Sequence, residues 1–214
     1  MKKLPLIIIA IVILIGLSVL YFFLPVDKWL SQTPLLKELY NNSSLSITSR
    51  NSKASVEIDG KKYGETPLNL NDLSEGNHNI AIKRISDSEG FYQVHSYSIE
   101  LIKNTEAIID IEIGPDDIAS GYLLYYSQSP DTDKGSGYIS ITSDKLDSSV
   151  YLGSDFIGKA PVSTKKIKTG KYQLQITSDG CEAVEFPIIV RNGYILNINT
   201  MLIPIPINLQ ESSQ

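Results

Sequence analysis

Few residues of this sequence could carry out nucleophilic or acid–base chemistry. The 214-residue chain has two histidines, His78 and His95, and one cysteine, Cys181. Nucleophilic catalysis by serine needs a base beside the nucleophile, and histidine usually fills that role. Both histidines lie in stretches with the residue pattern of strands, where such side chains are usually exposed or half-buried. We therefore predict no catalytic residue and no enzymatic activity.

The sequence also gives little support for a metal site or a bound cofactor. Residues 131–137 faintly resemble a calcium loop, but an EF-hand needs an acid or amide where Gly135 stands and a glutamate where Thr142 stands. A lone cysteine cannot form an intrachain disulfide, a thiolate zinc site or an iron–sulfur cluster, so we expect Cys181 to be a buried thiol. The sequence has no Gly-x-Gly-x-x-Gly motif and no phosphate-binding loop. We predict no metal ion and no cofactor.

The charge of the chain argues against nucleic-acid partners. Its formal net charge is −5 and its isoelectric point is about 5.1, so it has no overall positive field. Basic residues cluster only at Lys165, Lys166, Lys168 and Lys171. A short basic run beside a turn is typical of a solvated strand edge, where lysines discourage pairing with other chains.

The N-terminal residues indicate how the chain is located. Residues 4–24 carry no charge, and Ser18 is their only clearly polar side chain. At ~1.5 Å per residue a helix of this length crosses the roughly 30 Å hydrocarbon core of a bilayer. A cleaved signal peptide is the alternative, but it would end in small residues, whereas this stretch ends in bulky aromatic ones. We predict a retained transmembrane signal anchor at 1–25, followed by a juxtamembrane stalk at 26–44.

Orientation follows from the basic residues beside the predicted helix. Lys2 and Lys3 precede it, and basic residues tend to stay on the cytoplasmic side. We expect a single-pass protein of the cell membrane, with its N-terminus cytoplasmic and its C-terminal domains extracytoplasmic.

An internal repeat organises the remainder of the chain. The string Ser-Ile-Thr-Ser occurs at 46–49 and again at 140–143, an offset of 94 residues. Ten identities fall in this gap-free register between residues 45–83 and 139–177. The two halves are therefore duplicated domains. We place the first at 45–113, a linker at 114–137, the second at 138–203 and a C-terminal tail at 204–214.

Each copy has the residue pattern of short strands separated by turns. We predict strands at 45–48, 54–58, 77–85, 93–102 and 106–113 in the first copy, and at 138–142, 148–152, 171–177, 183–190 and 194–203 in the second. The pattern predicts an all-β fold of two tandem antiparallel domains. Residues 122–126 of the linker (YLLYY) are too apolar for a free coil, and we expect them to form an edge strand of the second domain.

Two turns recur at equivalent positions. Asp59-Gly60 predicts a tight hairpin, since both residues accept positive φ, and Gly153-Ser154 occupies the same place in the second copy. Gly64 and Pro67 follow in the first copy. Glycine lets the chain bend, and proline removes a ladder hydrogen bond, so we predict that the chain leaves one sheet here and enters another.

These residues carry a resemblance to a known family. Residues 54–68 (ASVEIDGKKYGETPL), followed by Leu73-x-x-Gly76, resemble the PEGA domain, and the second copy is similar in Ser149-Val150 and in Gly158-x-x-Pro161. The resemblance implies small β-sandwich domains, prealbumin-like or immunoglobulin-like in outline. It also implies an interaction or spacer module of cell-envelope proteins, and it brings no catalytic residues.

Three functional hypotheses remain open from the sequence. The first is a non-catalytic structural or interaction module that binds an envelope polymer or an envelope protein. The second is a carbohydrate- or cell-wall-binding module that uses tyrosines as stacking surfaces. The candidate tyrosines for that role are Tyr122, Tyr125, Tyr126 and Tyr138. The third and most remote is an accessory domain of an envelope enzyme.

Overall fold

The computed structural model describes residues 43–87, 90–131 and 134–205. Within these ranges the chain forms fifteen strands and no helix. The predicted transmembrane anchor and nearly all of the stalk lie outside the described residues, as does most of the C-terminal tail. No helix in the described part of the chain is long and apolar enough to span a bilayer.

Seven strands belong to each copy, and the predicted repeat is confirmed by their matching order. In the first copy they are β1 (Ser43–Thr48), β2 (Ala54–Ile58), β3 (Lys61–Glu65), β4 (Leu68–Leu73), β5 (Gly76–Arg84), β6 (His95–Leu101) and β7 (Glu106–Ile113). The linker supplies β8 (Ala119–Gln128). In the second copy they are β9 (Ser136–Ser143), β10 (Ser149–Leu152), β11 (Asp155–Lys159), β12 (Val162–Lys168), β13 (Gly170–Thr177), β14 (Val184–Val190) and β15 (Tyr194–Met201).

The strands form three sheets, one of which both copies share. Each copy has its own four-stranded sheet, in the order β3-β2-β5-β6 or β11-β10-β13-β14. The remaining strands form one seven-stranded sheet in the order β12-β9-β15-β8-β7-β1-β4. Each copy is thus a β-sandwich made of its own small sheet and its half of the shared sheet.

The prediction of wholly antiparallel domains is wrong in one respect. β1 pairs with β7 in parallel, and β9 pairs with β15 in the same way. Parallel neighbours need a long crossover connection. The small sheet of each copy supplies it, because that sheet lies between the first and last strands of the copy along the chain.

The predicted crossing between sheets is confirmed at Gly64 and Pro67. β3 belongs to the small sheet and β4 to the shared sheet, and the same change occurs between β11 and β12. Gly64 has a φ of 139°, a conformation that side chains disfavour. Between the two strands Thr66 is buried, and its Oγ1 accepts a hydrogen bond from the Ala54 amide at 2.9 Å.

The Asp59-Gly60 hairpin forms as predicted. Both residues have positive φ, 52° and 77° respectively, which is the requirement of a type I′ turn. In the second copy Gly153 has a φ of 62° and Ser154 does not adopt positive φ, which fits a type II′ turn with glycine first. The sequence prediction missed the strands that adjoin these turns, β3, β4, β11 and β12, because their side chains are mostly exposed and polar.

β8 is a strand as predicted, but it is central and not at an edge. It pairs antiparallel with β15 on one side and antiparallel with β7 on the other. Alternate residues of β8 enter different hydrophobic cores. Leu123 lies in the core of the first copy, whereas Leu124 and Tyr126 lie in the core of the second. Successive side chains of a strand point to opposite faces, so the two cores lie on opposite faces of the shared sheet.

This arrangement explains why the linker segment is continuously apolar. A strand with one solvated face alternates polar and apolar residues, whereas a strand buried on both faces does not. The YLLYY run covers two cores at once. It therefore belongs to both domains and links them through main-chain hydrogen bonds.

We predict that the two copies unfold together. Leu123 is 4% exposed in one core and Leu124 is 5% exposed in the other, yet they are neighbours on one strand. Leu123→Ala and Leu124→Ala should each lower the free energy of unfolding by about 3 kcal/mol through the cavity they leave. Differential scanning calorimetry should show a single transition that moves down in both variants. Two separate transitions, each shifted by only one variant, would contradict this.

A second prediction concerns the close approach of β8 to β7. A Cβ atom on Gly121 would lie 1.9 Å from the Asp110 carbonyl oxygen, and Gly121 has a φ of 134°. Gly121→Ala should therefore destabilise the fold by about 3 kcal/mol. Gly60→Ala is the matched control, since it has positive φ but no atom within 4 Å, and it should cost about 1 kcal/mol. If urea denaturation gave the same loss of unfolding free energy for the two variants, the predicted clash at Gly121 would be contradicted.

Candidate functional site

The four tyrosines predicted as a stacking surface do not share one face. Tyr122 and Tyr126 pack against the core of the second copy, and Tyr125 packs on the opposite face of the sheet. The Tyr122 ring stacks on Phe186 at a centroid distance of 3.7 Å. Tyr126 is buried, and its hydroxyl donates to the Ile189 carbonyl oxygen at 2.6 Å. Tyr122 and Tyr126 are therefore packing residues.

Tyr125 and Tyr138 lie on the same face of the shared sheet. Tyr125 pairs with Asn197, and Asn197 pairs with Ser140, which is two residues from Tyr138 on β9. The Tyr138 hydroxyl donates to the Asp131 carboxylate. Lys166 lies 6.0 Å from the centre of the Tyr138 ring and 3.6 Å from the same carboxylate. Tyr138 is thus held in a charged cluster beside the edge strand β12.

A groove lies beside Tyr125 and has a volume of about 370 Å³. Its floor is the part of the shared sheet that belongs to the second copy. Two residues of β9, Ser140 and Thr142, and two of β15, Asn197 and Asn199, form this floor. Its wall is β6, the edge strand of the first copy's small sheet, through Ser96, Tyr97 and Ser98. We call this the polar groove.

The polar groove offers hydrogen-bonding groups without charge. Its lining consists of hydroxyls, amides and the apolar side chain of Leu123. Ile198 also borders the groove, but its side chain lies in the core of the second copy on the other face of the sheet. The Asn197 amide nitrogen donates to the Ser127 hydroxyl at 2.8 Å, which fixes the amide and leaves its oxygen as an acceptor. The side chains of Ser140 and Asn199 make no hydrogen bond to another described residue. These groups are available to a ligand.

Two phenols of the groove resist ionisation. Burial raises the pKa of Tyr97 to about 12, and the Tyr97 hydroxyl donates to the Met201 sulfur at 3.1 Å. Burial also raises the pKa of Tyr125, and the Glu100 carboxylate raises it further. Both rings therefore remain neutral at physiological pH.

The equivalent place on the opposite face has different chemistry. A cavity of about 270 Å³ lies there, beside β14. The apolar residues Ile108, Pro187 and Ile189 line it together with the charged residues Glu106, Lys171 and Arg191. The same backbone arrangement thus carries an uncharged polar surface on one face and a mixed apolar and charged one on the other.

The structure does not bring the two histidines together. They lie at different places on the β5–β6 ladder, where His78 pairs with Ile99 and His95 with Ile82. His78 is buried, with Nδ1 2.7 Å from the Asp59 carboxylate and Nε2 2.8 Å from the Ser74 carbonyl oxygen. The Asn79 amide, which donates to Asp59, lowers the pKa of that carboxyl together with His78. His78 therefore stabilises the hairpin turn.

His95 is the more isolated of the two. Its Nε2 atom is buried and has no hydrogen-bond partner among the described residues. Burial lowers the pKa of His95, and the nearby Asp117 carboxylate opposes this shift. In the described ranges neither histidine ring is hydrogen-bonded to a serine, threonine or cysteine side chain.

The structure also locates the possible metal ligands, the basic cluster and the lone cysteine. In the described part of the chain no group of three or more His, Cys, Asp or Glu side chains could hold a metal ion. Lys165, Lys166 and Lys168 lie on β12, an edge of the shared sheet, which confirms the strand-edge prediction for these three. Lys171 lies on β13, which is not an edge strand. The prediction of a buried thiol is wrong, because Cys181 is only half-buried where it forms an isolated bridge with Pro204 before β14.

Sequence reasoning missed the polar groove. The signal was present in β9 and β15, where Ser and Thr or two Asn residues alternate with isoleucine or leucine. That alternation indicates a strand with one buried and one exposed face. It does not indicate that β6, from the other copy, lies beside the exposed face.

The fold and the groove define a tandem β-sandwich protein whose two halves share one sheet. The PEGA domain family matches residues 42–113 and 136–205, so the chain belongs to this family. No match was found among curated proteins. Among solved structures, the Bacillus anthracis TIE protein is similar over 76% of this chain, with 14% identity and a TM-score of 0.26. The match spans only 34% of that protein's chain, and a TM-score this low carries no argument about fold or function.

We predict that Tyr97 contributes to loss of stability at alkaline pH. Between pH 10.0 and about pH 12 the unfolded chain releases the phenolic proton while the folded chain retains it. Below this window both states keep the proton, so no loss arises. Above pH 10 the free energy of unfolding of Tyr97→Phe should therefore fall less steeply than that of the wild type. Parallel curves in urea denaturation across this window would count against the burial of Tyr97.

Proposed function

We propose that this protein is a non-catalytic, membrane-anchored protein whose two PEGA domains lie outside the cytoplasm. There they act as a structural and interaction module of the cell envelope, binding an envelope polymer or an envelope protein. The observation that carries the proposal is the shared sheet. β8 is hydrogen-bonded to the last strand of each copy, so the two domains present their surfaces in one fixed arrangement.

A fixed arrangement suits a binding module. Two domains on a free linker lose orientational freedom when both engage a partner, whereas a rigid pair has lost it already. The broad faces of the shared sheet also offer extended surface beside each small sheet. Membership in the PEGA family and the uncharged residues 4–24 support the envelope location.

The location can be tested on intact cells that carry the full chain with a C-terminal epitope. We expect added protease to remove the epitope without lysis, because the domains should lie outside the cytoplasm. A cytoplasmic protein should remain intact in the same samples as the control. Survival of the epitope until the cells are lysed would overturn the location, provided that the lysate shows it can be cleaved.

The interaction can be tested with the purified full chain. We expect it to be retained by isolated cell envelopes, while a chain truncated after residue 44 is not. The truncated chain keeps the predicted anchor and stalk, so it controls for retention by the membrane segment alone. Equal behaviour of the two chains would contradict a binding role for the PEGA domains.

A further inference from the structure

We propose that the polar groove binds a neutral oligosaccharide segment. The inference rests on the proposed function, since it names the chemistry of the envelope partner. The groove joins three features: a floor of hydroxyl and amide groups, the exposed part of the Tyr125 ring and a wall formed by β6. Its volume of about 370 Å³ lies within the usual range for small-ligand sites.

The geometry of the shared sheet creates the groove. β7 and β15 both run antiparallel to β8, so the two halves of the sheet are related by a rotation about an axis along β8. Such a rotation exchanges the two faces, which places the small sheets on opposite faces. The half-sheet of the second copy therefore extends beyond the small sheet of the first copy, and β6 borders the uncovered surface.

The uncharged lining selects a neutral ligand. None of the residues that line the groove carries a formal charge, although charged residues make up 20% of the chain. Serine, threonine and asparagine side chains both donate and accept hydrogen bonds. Sugar hydroxyls also do both, and the face of a sugar ring can lie on an aromatic side chain such as Tyr125. An acidic polymer would find no cation in the lining.

The two copies carry different side chains at the positions that border the groove. Phe186 is the equivalent of Tyr97, because Phe186 pairs with Leu174 and Tyr97 with Ile80, which are themselves equivalent. On its face of the sheet, Phe186 is stacked on Tyr122.

On the polar face the corresponding β8 residue is the smaller Leu123, which pairs with Asn199 as Tyr122 pairs with Asp110. The floor differs in the same way, because Asn197 pairs with Ser140 as Ile108 pairs with Ser46. Asn199 stands where Asp110 does on the opposite face, and Asp110 is engaged by Arg50 at 3.4 Å. The uncharged lining of the groove is thus a property of these side chains and not of the shared backbone.

An extended peptide is the rival occupant. It could pair with the free edge of β6 through main-chain hydrogen bonds, as in strand addition. Such a peptide would depend on the backbone of β6 and not on the hydroxyls of the floor. The polar floor therefore favours the sugar, and substitutions in the floor distinguish the two ligands.

The repeat supplies a matched pair of variants. Ser140 and Thr142 lie in the groove, and Ser46 and Thr48 are their exact equivalents on the opposite face. The test variant is Ser140→Ala with Thr142→Val, and the control is Ser46→Ala with Thr48→Val. Tyr125→Ala tests the ring. The full chain should be purified in a detergent without a sugar headgroup, because such headgroups would compete.

The probes are cellohexaose and chitohexaose as neutral oligosaccharides, oligogalacturonate as an acidic one, and a library of extended peptides. We expect a neutral oligosaccharide to bind in isothermal titration calorimetry. Its affinity should fall about tenfold in the groove double variant through loss of two hydrogen bonds. It should also fall in Tyr125→Ala and remain unchanged in the control double variant, with circular dichroism confirming the fold of each.

The inference is overturned if neither neutral oligosaccharide binds, if only oligogalacturonate or peptides bind, or if binding is equal in the two double variants. Envelope retention then separates the two proposals. Retention of the folded groove variant at wild-type level would leave the binding module intact and reject the groove. Loss of retention in the groove variant alone would support both.

Discussion

The fold depends on the main-chain hydrogen bonds that β8 makes on both of its sides. Without this strand each copy would end in an exposed edge at β7 or β15. With it, two sandwiches become one block. Leu123 and Leu124 lie in opposite cores on adjacent positions, so the segment between the repeats is shared structure and not a spacer.

A geometric consequence follows from the directions of the strands. Because β7 and β15 lie antiparallel to the same central strand, the two small sheets cover opposite faces and each leaves half of the shared sheet uncovered. The uncovered surfaces are bordered by β6 and by β14. Grooves at these positions therefore arise from the topology, whereas their chemistry is decided by the side chains that fill them.

Local chemistry allowed much of the fold to be predicted. The Ser-Ile-Thr-Ser string revealed the duplication because identical residues recur at one fixed offset. Asp59-Gly60 predicted the hairpin, and Gly64 with Pro67 the passage between sheets, because both depend on the backbone preferences of a few neighbouring residues. The central position of β8 and the parallel pairing of β1 with β7 could not be predicted in that way. Both are set by which distant strand lies alongside, and neither leaves a pattern within one segment.

The site shows the same limit more sharply. Tyr122, Tyr125 and Tyr126 are close in sequence, yet successive strand residues face opposite sides, so density along the chain did not mean proximity in space. The strings at 46–49 and 140–143 are identical and lie at equivalent positions, but only the second lines the polar groove. What distinguishes them is the neighbouring strand, with Asn197 and Asn199 on β15 where β7 has Ile108 and Asp110. The chemistry of each groove is therefore set by the residues that surround the duplicated string and not by the string itself.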